Sequence, residues 1–258
     1  MQMKNKLTLV LFSAFLSLCW VIPAQAQDAE ADSIARLAMI TAKDGHEKDL
    51  VKAITEYHHY VAKFEGHHEY TWYRILTGPN TGKFLARTPG HQWADFDAKY
   101  DWEEAAGEEF QKNVTPHIEK IELQFTSEMT EFSHWPESFD GYTHFSVTDW
   151  YIKPGQGSKF RKGLKTIVDA LIAGGFPNYW GFFSIESGGH GNQIRIVGAN
   201  KGFADMADED PGFYKIMSDS MGGEDAVSTF MADWSSTYKP GLNQLIELMP
   251  EASDYGNK

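Results

Sequence analysis

The chain has 258 residues, 42% hydrophobic and 14% aromatic, enough apolar material for a packed core and too much for a disordered chain. Acidic residues outnumber basic ones 36 to 23, and the net charge of −13 argues against nucleic acid and anionic lipid as partners. A single cysteine, Cys19, lies near the N-terminus.

In chain order, the first feature is a short basic stretch with Lys4 and Lys6, an apolar run over 7–22, and Pro23-Ala24-Gln25-Ala26. Small residues after an apolar core are the three-part pattern of a secretory signal, so residues 1–26 are expected to be removed on export to the periplasm or beyond. Sixteen apolar residues are short for a membrane span, and no membrane attachment is expected once the signal is gone. The exported chain then carries a net charge of −15 and no cysteine, which removes disulfides, thiolate catalysis and cysteine–metal sites.

Beyond residue 33 the chain resembles itself at an offset of 110 residues, in pattern more than in identity. Ala35, Leu37 and Met39 alternate as on a strand, and Phe145 and Val147 fall at the equivalent places. Lys43-Asp44-Gly45-His46 and Lys153-Pro154-Gly155-Gln156 both turn into a helix. Leu50, Ile54, Tyr57 and Val61 match Phe160, Leu164, Ile167 and Leu171 as helical stripes. Strands are predicted at 70–76 and 83–88, and again at 180–186 and 193–199, joined through Gly78–Gly82 and Gly188–Asn192. Trp93-Ala94-Asp95-Phe96 and Phe203-Ala204-Asp205-Met206 open second helical regions. A short closing strand is predicted at 134–138 and at 248–252, which makes the later helical region about four residues longer.

Each half thus reads strand–helix–strand–strand–helix–strand, the split βαβ unit. The predicted fold is α+β: a signal at 1–26 and two ferredoxin-like halves, 27–140 and 141–258. This order resembles the dimeric α+β barrel superfamily. Within it, the chain is most similar to tandem members akin to antibiotic-biosynthesis-monooxygenase and NIPSNAP-like proteins, in which two halves of one chain replace the usual homodimer. The resemblance implies one intramolecular barrel, with room for a higher oligomer. It also places the chain beside cofactor-free monooxygenases, haem-degrading enzymes and chlorite-dismutase-like haem proteins, so it narrows fold more than function.

Sorting strand residues by apolarity gives two faces. The more apolar set, expected against the helices, contains Leu37, Met39, Tyr73, Ile75, Phe84, Ala86, Phe145, Val147, Phe183, Ile185, Ile194 and Ile196. The other set, expected inside the barrel, brings Arg36, Trp72, Arg74, Arg87, His144, Trp150, Trp180, Phe182 and Arg195 together. Buried arginines need compensation, from structural carboxylates such as Glu186 or from a small anionic or aromatic ligand held between the sheets. In an enzymatic reading Trp72, Trp150 and Trp180 hold an aromatic substrate, His144 takes a proton and Arg36 or Arg195 steadies the anion. In a third reading the interior is sealed by salt bridges and the chain is a structural or partner-binding protein.

Ten histidines raise the question of metals. Neither His58-His59 nor His67-His68 has zinc-site spacing, no HExxH occurs, and no metal site is expected from the sequence. Haem is a minor alternative through His58, His59 or His144, and no cofactor is favoured. A serine nucleophile elbow and a phosphate-binding glycine loop are both missing.

Overall fold

A computed structural model describes residues 33–207 and 210–254. The predicted signal lies outside these residues. None of the described helices is long and apolar enough to cross a membrane.

The first half runs β1 (Ile34–Ala42), α1 (Glu47–Val61), β2 (Thr71–Ile75), β3 (Phe84–His91), α2 (Glu103–Glu109) and β4 (Ile118–Glu128). The second runs β5 (His144–Ile152), α3 (Gly157–Ala173), β6 (Tyr179–Ser187), β7 (Gln193–Asn200), α4 (Phe213–Met221), α5 (Glu224–Ser235) and β8 (Tyr238–Leu248). Gly45 and Gly155 occupy the same turn in both halves with φ of 78° and 75°, a region costly for any other residue, and each delivers the chain into its first helix.

All strand pairs are antiparallel, and the order β1-β3-β2-β8-β5-β7-β6-β4 closes on itself as a barrel. Each half contributes four strands in the ferredoxin-like order. The halves meet at two seams, β2 with β8 and β4 with β6. The tandem α+β barrel expected from the repeat is therefore the architecture observed.

Three apolar clusters divide the molecule. In the first half, α1 buries Leu50, Ile54, Tyr57 and Val61 against the outer sheet face, where Ile40, Trp72, Phe84 and Ala86 receive them. In the second, Phe160, Leu164, Ile167 and Leu171 of α3 pack on Trp180, Phe182 and Ile194. The third cluster fills part of the barrel interior with Tyr73, Ile75, Phe145, Val147, Ile246 and Leu248.

Two expectations are corrected. The closing strands are not at 134–138 and 248–252. They are the eleven-residue β4 and β8, offset by 120 residues, and the later helical region is correspondingly longer than expected. His134 makes only an isolated bridge to Trp180, while Pro250–Ala252 is a single 3-10 turn. The second correction concerns faces. Antiparallel partners project to the same side, and the register pairs Leu37 with Arg87 and Met39 with Leu85. Leu37 and Met39 therefore share the barrel interior with Arg87, and the face expected from apolarity is inverted on β1, β2, β5 and β6. It is as expected on β3 and β7.

Candidate functional site

The barrel encloses a cavity of about 570 Å³, within the range of small-molecule sites. Its apolar wall is built by Leu37, Met39, Tyr73, Leu85, Phe145 and Phe183, with Trp135 and Phe139 entering from the segment after β4. Strand alternation supplies the wall: Tyr73 and Ile75, Leu85 and Arg87, Phe145 and Val147 are each two residues apart.

Trp135 has a specific seat. A Cβ on Gly181 of β6 would lie 1.8 Å from its ring, so only glycine lets the indole lie against that strand. The ring is 5.3 Å from Phe139 and 6.2 Å from Phe183 between centroids. Its Nε1 donates to Glu128 Oε1 at 2.7 Å, fixing a carboxylate at the cavity wall.

Arg87 lies opposite Leu37 and lines this cavity. Burial pushes its guanidinium below the ordinary arginine range, while Tyr73 and Glu128 work the other way. Burial likewise raises Tyr73 above 10, partly offset by Arg87, so the phenol stays protonated at neutral pH. Among the described residues Arg87 forms no ion pair. Protein surrounds it, yet its surface is reachable through the cavity.

Arg195 also lines the cavity, but its charge is already matched. Nε and Nη2 donate to the two carboxylate oxygens of Asp149 at 2.8 and 3.1 Å, and Nη1 donates to Gln124 Oε1 at 2.7 Å. Asp149 is only 2% exposed, so this is a buried bidentate pair. Glu186, the partner considered from sequence, instead accepts from the Ser127 and Ser184 hydroxyls.

The remaining residues expected inside lie on the outer sheet faces, because register places them opposite outward-facing neighbours. Arg36 bonds Tyr70, which in turn bonds Tyr57. Trp72 is in the α1 core. Arg74 is exposed, opposite Glu247 in register and 5.9 Å over the Phe84 ring. Trp150 stacks on Tyr238 at 4.6 Å. Trp180 donates to the Phe132 carbonyl at 2.9 Å, and Phe182 packs in the same second-half core. His144 pairs in register with Asn200 and Glu247, contacts Phe203 at 4.7 Å and bonds Thr143 at 2.9 Å. It is buried, but away from the cavity.

Tyr73, Glu128, Trp135, Phe139, Phe145 and Phe183 were not among the expected site residues. For Tyr73, Phe145 and Phe183 the signal was the period-two alternation of their strands, and for Trp135 and Phe139 the aromatic run Trp135, Phe139, Tyr142; Glu128 lies on β4, which the pattern did not reveal. Among the described residues no histidine or cysteine lines the cavity; Tyr73 and Met39 are the lining side chains of a kind that can ligate haem iron. The helix–sheet layer of the second half is filled by Trp150, Trp180, Phe182 and Trp234.

Comparison with known proteins agrees with this architecture. Residues 33–113 match the family model described as antibiotic biosynthesis monooxygenase, a stretch that spans β1 to α2. No curated protein matches the chain. A proposed monooxygenase from Lactobacillus acidophilus NCFM is similar in structure, with a TM-score of 0.52 at 8% identity, over 84% of this chain and 94% of that one. An anthrone oxidase-like protein gives 0.50 at 12% identity, covering 85% and 92%. Chlorite dismutase from Candidatus Nitrospira defluvii, in complex with imidazole, gives 0.53 at 10% identity, covering 86% and 93%. At such identities the likeness concerns fold: a ferredoxin-like α+β barrel.

Proposed function

We propose that this chain is an exported protein that binds a small aromatic anion inside the barrel. Arg87 takes the negative group, and Tyr73, Trp135, Phe139, Phe145 and Phe183 take the ring. The observation that carries this reading is Arg87: a guanidinium among aromatic walls with no ion-pair partner among the described residues, beside a cavity large enough for a bicyclic ligand. Burying an unpaired charge costs several kcal/mol, and an anionic ligand offsets that cost where a structural carboxylate does not.

A thermal-shift panel tests it. Aromatic carboxylates such as benzoate and 2-naphthoate are expected to raise the melting temperature by about 5 °C when saturating, whereas cyclohexylmethanol and inorganic sulfate leave it unchanged. Stabilisation by sulfate alone, or by none of the panel, contradicts the reading.

The match over 33–113 favours a second reading, in which the bound molecule is oxidised without a cofactor. Glu128, held by Trp135, accepts a proton from an activated methylene or phenol, and Arg87 steadies the anion that forms. Dioxygen then converts a methylene to a carbonyl, one oxygen atom entering the product and the other leaving with both hydrogens as water. Oxygen consumption with an anthrone, lost in Glu128→Gln while 2-naphthoate binding persists, separates this reaction from binding alone.

A further inference from the structure

The turn that starts the first helix is built in the same way in both halves. Lys43 N donates to the His117 carbonyl at 2.9 Å and Lys43 Nζ to the Pro116 carbonyl at 2.7 Å. In the second half Lys153 N donates to Thr237 and Lys153 Nζ to Ser236, at the same two distances. His46 and Gln156 occupy matching places before α1 and α3, and both accept the first helical hydrogen bond at 2.8 Å. By this equivalence His46, Asp49 and His117 correspond to Gln156, Lys159 and Thr237. The backbone node is complete without any of the three, so stability of the turn does not explain why two imidazoles and a carboxylate converge there.

Their geometry does. His46 Nδ1 and His117 Nδ1 face each other at 3.1 Å, with the rings tilted by 42°. Asp49 Oδ2 lies 3.9 Å from His46 Nδ1, and one donor atom from each of the three residues falls within 4.8 Å of the others. A tetrahedral ion with bonds of about 2.0–2.1 Å holds its donors about 3.3 Å apart. The imidazole edge is already near that length. The Asp49 edge closes by rotation of a carboxylate that is 64% exposed. We propose that His46, Asp49 and His117 bind one divalent transition-metal ion of the zinc or cobalt class, with water completing the coordination. Two nitrogens and one oxygen suit such an ion better than magnesium or calcium, which favour oxygen donors. The site is outside the barrel and independent of the interior cavity. Sequence spacing conceals it, because its two histidines are 71 residues apart.

The test uses the full chain without an affinity tag. Cobalt(II) is added while visible absorption is followed, then displaced with zinc, and stoichiometry is checked by calorimetry. One equivalent is expected. The double variant His46→Gln/His117→Thr installs the residues that the second half already uses in a folded turn, so it is expected to melt as the wild type does. It is expected to bind cobalt at least about tenfold more weakly. Absence of a one-equivalent cobalt complex in the wild type overturns the proposal. So does undiminished binding in the double variant, which would assign the ion to other histidines such as His58 and His67.

Discussion

Two arginines aim at one cavity and do different work. Arg195 is satisfied by Asp149 and Gln124, so Arg195→Met strands a buried carboxylate and is expected to cost about 3–5 kcal/mol. Thermal denaturation should register that as a fall of roughly 10 °C. Arg87 has no such partner among the described residues, and Arg87→Met removes a buried cation that Tyr73 and Glu128 offset only in part. Its melting temperature is expected to be equal to or above that of the wild type. A large loss in Arg87→Met with none in Arg195→Met would reverse the assignment. Sequence made both residues visible as cations on strands, but not this difference: the partner of Arg195 is 46 positions away, on the neighbouring strand.

Histidine burial sets an acid limit. Burial lowers His58, His68 and His91 below the ordinary 6.5; Asp254 opposes this at His58, as Glu103 and Asp95 do at His68. Between 6.5 and those lowered values the unfolded chain binds more protons than the folded one. Stability therefore falls as pH drops through that window and stops falling, for these groups, below it. Melting temperature measured from pH 8 to pH 5 is expected to decline from about pH 6.5, ahead of carboxylate titration. A flat profile down to pH 5 would contradict this.

At the level of elements, the two helical stripes and six of the eight strands were readable from period and turn residues. The faces were not. Apolarity sorted each strand separately, yet hydrogen-bond register ties every strand to its neighbour, and Leu37 opposite Arg87 fixes the phase of both. A barrel with an apolar interior and apolar outer faces gives hydrophobic alternation no polar side to point at. The fourth strand escaped for a different reason: its alternation is reversed, with Glu122, Gln124, Thr126 and Glu128 turned inward and Ile121 and Leu123 exposed. The seat of Trp135 on β6 provides a test at this level. Gly181→Ala places a methyl inside the indole ring, and overpacking is expected to cost about 1–3 kcal/mol. It should also weaken 2-naphthoate binding, because Trp135 forms the cavity wall and holds Glu128. Unchanged binding in a destabilised Gly181→Ala would separate the tryptophan from the site.

For the whole molecule, closure within one chain is the organising fact. The seams β2–β8 and β4–β6 give each half the edges that the other lacks. Residues 27–140 alone expose those edges together with the inner face of their sheet, and are expected to aggregate or self-associate. A monomeric, cooperatively melting fragment, seen by sedimentation and calorimetry, would count against mutual dependence of the halves. The repeat announced this architecture because turn glycines, helix stripes and strand order recur, whereas the cavity arises only when the two sheets face each other and residues from all eight strands converge. The most direct test of the central claim is calorimetric titration of 2-naphthoate into the wild-type chain and into Arg87→Met. One binding site per chain, weakened at least about tenfold by loss of the charge–carboxylate contact while the fold is retained, is the expected result. Equal affinity in both proteins would show that Arg87 is not the anion's partner.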